Sequence, residues 1–270
     1  MRRPPTTPGF VRAAMLSALL LGSAAVARVE TAKTQSGYLA PGAFDLLAVL
    51  PPAPRPDDPR GISDRAIFKA TRTLVGTPRW AMATNDVKLA PADMMRDFSC
   101  ATGIMLTPQI APRIAKLIAR ASFDTARGTG IAKTFYKRQR PFLIDQGVIC
   151  QPAAEVADSY DYPSGHTTAG WTWATLLAEL APDRASAILA RGRAFGESRI
   201  VCGVHNASAV EAGRLSASAT LTAMRHVPLF NADLAAAHVE MAALRRDPTT
   251  PRPAPALCSR ESAMIAQRIE

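Results

Sequence analysis

The chain has 270 residues, of which 48% are hydrophobic, and its formal net charge is +10. This composition excludes an intrinsically disordered chain, because it supplies enough apolar side chains to bury a core. The length suits one large domain or two small ones. The basic residues are scattered rather than clustered with aromatics, so we expect no nucleic-acid partner, and a positive surface can equally attract small anionic substrates.

Residues 1–27 have the pattern of an export signal peptide. Three arginines accompany a short apolar run, and Ala25-Val26-Ala27 fits a cleavage site. The alternative is a membrane anchor, but the run is short for a bilayer span. Removal of the three arginines would lower the net charge from +10 to +7. We therefore expect a periplasmic or secreted protein with no membrane contact after removal of the signal.

The rest of the chain predicts an all-α fold with a single helical-bundle domain. Residues 28–60 are rich in proline, which predicts an extended arm lying over the domain. Residues 61–247 repeat apolar side chains at helical spacing and show no convincing alternation typical of strands. Residues 248–270 read as a C-terminal wrap that Cys258 would hold in place.

Capping residues and apolar spacing predict where the helices lie. The first is expected over 64–75, with Ser63 as its N-cap, and another is expected to start at Pro108 with Thr107 as its N-cap. The remaining predicted helices cover 78–84, 91–103, 123–136, 167–180, a segment opened by Pro182, 206–225, and a segment around Val239, Met241 and Leu244.

Four cysteines remain after the signal, at positions 100, 150, 202 and 258. Their spacing matches no zinc pattern, since the sequence contains no C-x2-C pair. An even number of cysteines behind an export signal indicates two disulfides formed in an oxidising compartment. The sequence permits three connectivities, and spacing does not choose among them.

The segment Tyr162-Pro163-Ser164-Gly165-His166 leads directly into an apolar helical run. Glycine allows a close approach of backbone to ligand, and the first turn of a helix offers unpaired N–H groups to an anion. A hydroxyl and an imidazole therefore stand beside a natural anion site. Taken alone, the segment is also compatible with an ordinary turn that leaves the histidine facing solvent.

Two flanking segments make the pattern more specific. Upstream lies Lys133-x6-Arg140-Pro141, and downstream lies Ser198-Arg199-x5-His205. The three segments, in this order, resemble the signature of the bacterial class A non-specific acid phosphatases. That family belongs to the type 2 phosphatidic acid phosphatase superfamily, which also contains the vanadium haloperoxidases. Weaker similarities extend the match from about Tyr38 to Cys258: Gly76-Thr-Pro-Arg79, Phe98-Ser-Cys-Ala101 and Leu106-Thr-Pro108.

The resemblance implies metal-independent hydrolysis of phosphate monoesters at acid pH. It makes His205 the nucleophile that forms a phosphohistidine, and His166 the acid that protonates the leaving oxygen. Forked guanidinium groups and an ammonium suit phosphate, and three cations neutralise its charge, so no cofactor is expected. The implied phosphate-binding residues are Lys133, Arg140, Ser164, Gly165 and Arg199. His226 and His238 match no motif and are expected to be partly exposed helix residues.

The resemblance also bears on the disulfides and on partners. It favours the pairs Cys100–Cys150 and Cys202–Cys258. It implies small phosphorylated substrates, and it leaves a homo-oligomer open.

One position departs from the family pattern. That pattern continues His-x3-Asp, whose carboxylate orients the nucleophilic imidazole, but this chain has Ala209 there. Glu211 is six residues beyond the histidine and lies on another helix face. Ser208 could offer only a weaker acceptor, its hydroxyl oxygen. We therefore expect lowered activity or narrower specificity, and a gain in turnover from Ala209→Asp.

Two other functions remain open at this point. A catalytically degenerate phosphate-binding protein is motivated only by Ala209. A vanadium-dependent haloperoxidase is motivated by the likeness of vanadate to the phosphoryl transition state, and the short chain argues against it. A membrane-embedded lipid phosphatase is disfavoured, because the chain after the signal has no sufficiently long apolar segment.

Overall fold

The computed structural model describes residues 1–2 and 36–269, so nearly all of the expected export signal lies outside the described residues. The described part is helical and has no strand, which confirms the all-α prediction. Its α-helices are α1 Pro59–Thr71, α2 Pro78–Asn85, α3 Pro91–Asp97, α4 Ser99–Thr102, α5 Pro112–Tyr136, α6 Gly165–Leu180, α7 Ala185–Val201, α8 Ala207–Met224, α9 Pro228–Arg246 and α10 Pro255–Ala266.

Helix α6 lies at the centre of the fold and packs against α5, α7, α8 and α9. It is apolar on most of its circumference, with Trp173, Leu176 and Leu177 buried, as expected of a helix surrounded by others. Helices α6 and α7 pack closely at Gly192 of α7, where an added Cβ atom would lie only 2.2 Å from the Cβ of Ala174. The small residue therefore sets the spacing of the two helices that carry the central and downstream motifs.

Helix α1 begins earlier than predicted. The N-cap is Asp58, whose side chain accepts a hydrogen bond of 2.7 Å from the Gly61 amide, and Pro59 occupies the first helical position. The prediction of Ser63 as the cap was therefore wrong, because an aspartate followed by proline is an equally good start signal. The earlier start places Asp64 inside the helix, where it is buried.

Helix α5 begins later than predicted and runs without a break. Thr107 caps only a turn, and the helix starts at Pro112. Because the residue before a proline is disfavoured in the α region, Ala111 takes φ −128° and ψ 54°, which separates the turn from the helix. The segment predicted as a separate helix from Phe123 is the second half of α5. Likewise, the helix predicted over 91–103 is divided at Phe98 into α3 and α4.

The disulfides pair Cys100 with Cys258 and Cys150 with Cys202, so the pairing implied by the resemblance was wrong. Arg184, at the start of α7, donates to the Cys100 carbonyl, whereas Cys202 follows the other end of that helix. Seventeen residues of helix separate these positions by roughly 25 Å. The Cys150 amide donates to the Cys202 carbonyl at 3.0 Å, while α10 packs on α4 and brings Cys258 to Cys100.

The segment before α1 contains turns and no helix within 36–58. Leu46 and Leu50 are buried in a cluster with Ala132 of α5 and with Ala209 and Ala212 of α8. No helix within residues 1–2 and 36–269 combines the length and apolar character that crossing a bilayer requires.

Candidate active site

A cavity of about 500 Å³ opens between α5 and the first turns of α6. Five of the residues predicted for the site line it: Lys133, Arg140, Gly165, His166 and His205. The two remaining predicted phosphate ligands, Ser164 and Arg199, are fully buried and do not line this cavity. Residues from all three sequence segments therefore meet at one cavity.

The start of α6 presents backbone N–H groups to the cavity. Ser164 is the N-cap, and its Oγ accepts hydrogen bonds from the amide and the hydroxyl of Thr167, at 3.3 and 2.9 Å. The first backbone hydrogen bond of the helix runs from the Thr168 amide to the Ser164 carbonyl, so the amides of Gly165 and His166 precede it. Such amides and the helix dipole favour an anion.

His205 lies in the turn between α7 and α8, and its two ring nitrogens have different partners. Arg140 Nη1, which can only donate, lies 3.0 Å from Nε2. Nε2 is therefore the acceptor, and Nδ1 carries the proton, which it donates to Asp161 Oδ1 at 2.9 Å. Burial, followed by the charges of Arg140 and Lys133, holds the pKa of His205 well below its usual range. The imidazole is thus neutral, with its lone pair at Nε2.

Positive charge is crowded around that nitrogen. Arg140 donates from Nε to the Ser159 carbonyl at 2.6 Å and from Nη1 to the Val204 carbonyl at 2.8 Å. Lys133 Nζ donates to the Tyr160 carbonyl, and burial together with the charge of Arg140 lowers the pKa of Lys133 to about 7. Carbonyl oxygens orient these cations without neutralising them, so the cavity favours an anionic ligand.

Arg199 is the buried cation with the most unused hydrogen-bonding capacity. Its Nη2 donates to the Gln151 side-chain oxygen, while Nε and Nη1 have no hydrogen-bond partner within the described part of the chain. Burial and the charge of Arg140 lower its pKa to about 9. Buried donors are almost always paired, so this exception indicates a site prepared for acceptor atoms.

His166 faces the same cations from the first turn of α6. Its Nε2 lies 3.0 Å from the Val87 carbonyl, which can only accept, so Nε2 carries the proton of the neutral ring. Burial, followed by the charges of Arg199 and Arg140, lowers the pKa of His166 to about 3, although the Val87 contact opposes the shift. A proton on the other ring nitrogen therefore requires negative charge in the cavity.

Asp161 is the residue that the sequence reasoning missed, since it belongs to none of the three signature segments. The premise of the expected loss of activity, an imidazole without a carboxylate, does not hold. Ser208, the weaker candidate, donates its hydroxyl proton to Asp64, and its oxygen accepts from Arg138 rather than from His205. The available signal was a carboxylate two positions before Pro163 in a chain that has Ala209.

The arrangement suits a tetrahedral oxyanion facing a neutral imidazole nucleophile. Charge-assisted donors and amides can hold the non-bridging oxygens of a phosphoryl group while Nε2 faces phosphorus. Among residues 1–2 and 36–269, no group of three or more His, Cys, Asp or Glu side chains could hold a metal ion.

Comparison with known proteins agrees with this geometry. The profile of the PAP2 superfamily matches residues 115–233, which include all three motifs. The chain is 41% identical over 209 residues to a protein named acid phosphatase from Zymomonas mobilis, covering 77% of this chain and 79% of that protein. It is 35% identical to a non-specific acid phosphatase from Providencia stuartii, covering 76% of this chain and 84% of that one. A non-specific acid phosphatase from Salmonella typhimurium is 31% identical, with coverage of 80% and 88%.

Proposed function

Because the chain belongs to the PAP2 superfamily, and within it to the bacterial non-specific acid phosphatases, we propose that it hydrolyses phosphate monoesters at acid pH through a phosphohistidine on His205. One observation carries the proposal. A neutral imidazole, fixed by Asp161 and with its lone pair at Nε2, lies among the cations of Lys133, Arg140 and Arg199.

Substrate binding would satisfy the site's unused donors. The non-bridging oxygens of the ester accept from Arg199, Arg140 and Lys133, and from the amides of Gly165 and His166. Arg140 then moves one hydrogen bond from Nε2 of the nucleophile to a phosphoryl oxygen, which frees the lone pair. Ser164 contributes its remaining hydroxyl hydrogen, since its two known contacts use the oxygen as acceptor.

The reaction then proceeds in two displacements. His205 Nε2 attacks phosphorus in line with the ester oxygen, and the P–O bond breaks as the N–P bond forms. The departing oxygen takes a proton from His166 and leaves as the alcohol. Water next attacks the phosphohistidine, neutral His166 takes one proton from that water, and the N–P bond breaks. Inorganic phosphate leaves, and the nucleophile returns to its neutral form.

The phosphate group itself prepares the acid. In the empty site His166 is neutral, because its pKa is lowered to about 3 by burial and by its cationic neighbours. A bound phosphate dianion offsets Arg199, Arg140 and Lys133 and so raises that pKa toward the acid range where the enzyme works. Protonation of the acid is thereby coupled to the presence of substrate.

The alternative of a degenerate, non-catalytic phosphate-binding protein has no supporting observation in this structure. That alternative, like the expectation of lowered activity, rested on Ala209 alone. Since Asp161 contacts His205 Nδ1, the imidazole has the carboxylate partner that the alternative assumed to be absent.

We further propose that the protein is exported to the periplasm. Two disulfides suit an oxidising compartment, and the N-terminal sequence has the pattern of an export signal. Its partners are then small phosphorylated substrates.

Hydrolysis of p-nitrophenyl phosphate between pH 4 and 8, with and without EDTA, tests the proposal. We expect turnover that rises below pH 7 and survives EDTA, and losses of at least ~10³-fold in His205→Ala and His166→Ala. His226→Ala, an exposed histidine on the surface, is the matched control and should leave turnover unchanged. Labelled phosphate that stays on the denatured protein in alkali, but not in acid, marks a phosphohistidine. Absence of turnover in the wild-type protein on a panel of esters would contradict the proposal.

A further inference from the structure

The carboxylate that contacts His205 does not come from the helix on which the family pattern places it. Asp161 lies in the loop before α6, 44 residues before the histidine in sequence, yet its Oδ1 is 2.9 Å from Nδ1. Both side chains are almost completely buried, with 0% of Asp161 and 2% of His205 exposed. Position 209, one turn beyond the histidine on α8, holds an alanine that is fully buried.

Donors surround the Asp161 carboxylate on every side that the structure describes. Oδ1 accepts from His205 Nδ1 and, at 3.1 Å, from the Asn206 amide. Oδ2 accepts from Asn206 Nδ2 at 2.9 Å, and Arg138 Nη1 lies 3.2 Å away. Burial raises the pKa of Asp161 above its usual value, although Arg138 and the two Asn206 hydrogen bonds oppose that shift. Since four donors occupy its oxygens, a carboxyl proton would have no acceptor, and the group is held as an anion.

Arg138 is itself fixed from the opposite side. Its Nη2 lies 2.7 Å from Asp64 Oδ2 of α1, and its Nη1 donates to the Ser208 hydroxyl at 2.7 Å. Asp64 also accepts from the Ser208 amide at 2.9 Å. The chain of contacts therefore runs from α1 through Arg138 and Asp161 to the imidazole, and Ser208 ties it to the first turn of α8.

We propose that Asp161, held in place by Arg138, is the positioning residue of His205 and replaces the carboxylate that the family pattern places at 209. The inference rests on the proposed role of His205 as nucleophile. Asp161 keeps the proton on Nδ1 and the lone pair on Nε2, and it stabilises the positive ring of the phosphohistidine. A second carboxylate at Ala209 would add a like charge to this buried cluster, so Ala209→Asp alone should lower turnover rather than raise it.

The substitution Asp161→Asn distinguishes a positioning role of Asp161 from a role in packing, because it keeps the shape of the side chain and removes its charge. In Asp161→Asn, the NH2 group of the amide replaces one carboxylate oxygen and cannot accept a hydrogen bond. It must face either the donors Asn206 Nδ2 and Arg138, or the donor His205 Nδ1. The second orientation forces the imidazole into the wrong tautomer, with its proton on Nε2. Asp158→Asn, an exposed carboxylate in the same loop, is the matched control for loss of charge.

Steady-state kinetics of Asp161→Asn should show kcat reduced by ~10²- to 10⁴-fold, with KM within about threefold of the wild type. Asp158→Asn should leave both unchanged. The double variant Asp161→Asn/Ala209→Asp should regain at least tenfold in kcat over Asp161→Asn, because it returns a carboxylate to the imidazole from the helix. Unchanged kcat in Asp161→Asn, or no recovery in the double variant while it remains folded, would overturn the inference.

Nitrogen NMR of labelled histidine gives a readout that needs no turnover. The wild-type protein should show His205 with its proton on Nδ1, and Asp161→Asn should shift that signal toward the other tautomer. An unchanged tautomer in the variant overturns the positioning role. Inactive wild-type protein with a normal tautomer shift would instead contradict the proposed function alone, so the two failures are distinguishable.

Discussion

Replacement of Arg199 by methionine should lower activity strongly and at the same time stabilise the protein in the absence of substrate. The guanidinium is completely buried, two of its three nitrogens lack a hydrogen-bond partner within the described residues, and it faces the charge of Arg140. Asp86, the acid that favours its charge, keeps Arg191 and Ser198 as partners after the substitution. Arg199 is therefore a buried cation whose hydrogen bonds within the described residues are incomplete.

The magnitudes follow from the two orphaned nitrogens. An unsatisfied buried donor costs about 1–3 kcal/mol, and exchange of a poorly paired buried charge for an apolar group of similar size often stabilises a protein by 1–4 kcal/mol. After a deduction for imperfect packing of methionine, we expect a gain of ~1–3 kcal/mol, or a few degrees in Tm. Loss of two charge-assisted hydrogen bonds, each worth ~1.5–3 kcal/mol, should lower kcat/KM by ~10²- to 10⁴-fold.

Thermal unfolding with and without inorganic phosphate measures both effects. Wild-type Tm should rise with phosphate, because binding adds ~2.7 kcal/mol to the free energy of unfolding at a phosphate concentration 100 times the Kd. Arg199→Met should have a higher Tm without phosphate and respond little to it. Arg193→Met is the control on the same helix, because Arg193 is half-exposed and paired with Glu197 and the Ile265 carbonyl. The reasoning is refuted if the Arg199 variant loses stability as the control does, or if phosphate raises its Tm as much as that of the wild type.

The parts of this site that sequence predicts are those encoded locally. Neighbouring residues determine the N-cap at Ser164, the amides that follow it and the apolar run of α6. The spacing of residues in the sequence is therefore sufficient to predict them. Arg140 and Lys133 lie within one segment whose order matches a family signature. Their approach to His205 follows from that resemblance, because composition and helical spacing carry no information about contacts across 65 residues.

What sequence did not predict depends on tertiary topology. The contact of Asp161 with His205 joins a loop to the turn before α8. Within the loop, only its place two positions before Pro163 distinguishes Asp161 from Asp158, and that spacing does not indicate a contact with His205. The prediction of the disulfide pairs failed for the same reason. The pairing depends on which end of α7 lies near α10, which carries Cys258, and which end lies near the loop that carries Cys150. The predicted starts of α1 and α5 were wrong for a local reason. The sequence contains other plausible N-caps, Ser63 and Thr107, close to the prolines at which these helices begin, Pro59 and Pro112.

Two further predictions concern the first turn of α6. Gly213→Ala should cost ~1–3 kcal/mol of unfolding free energy and reduce turnover, because the added Cβ would lie 2.7 Å from the Ser164 carbonyl oxygen. The control is Gly130→Ala, whose Cβ would have nothing within 4 Å. Equal Tm values for the two variants would contradict this prediction. Inhibition by sulfate, a dianion throughout this range, should strengthen as pH falls from 6.5 to 5. The pKa of His166 is about 3 in the empty site, so the ring is neutral there, and a bound dianion raises that pKa and draws in a proton. Lys133, with a pKa of about 7, is already mostly protonated in this window, so His166→Gln should flatten the dependence. An equally steep dependence in the variant would assign the proton to another group.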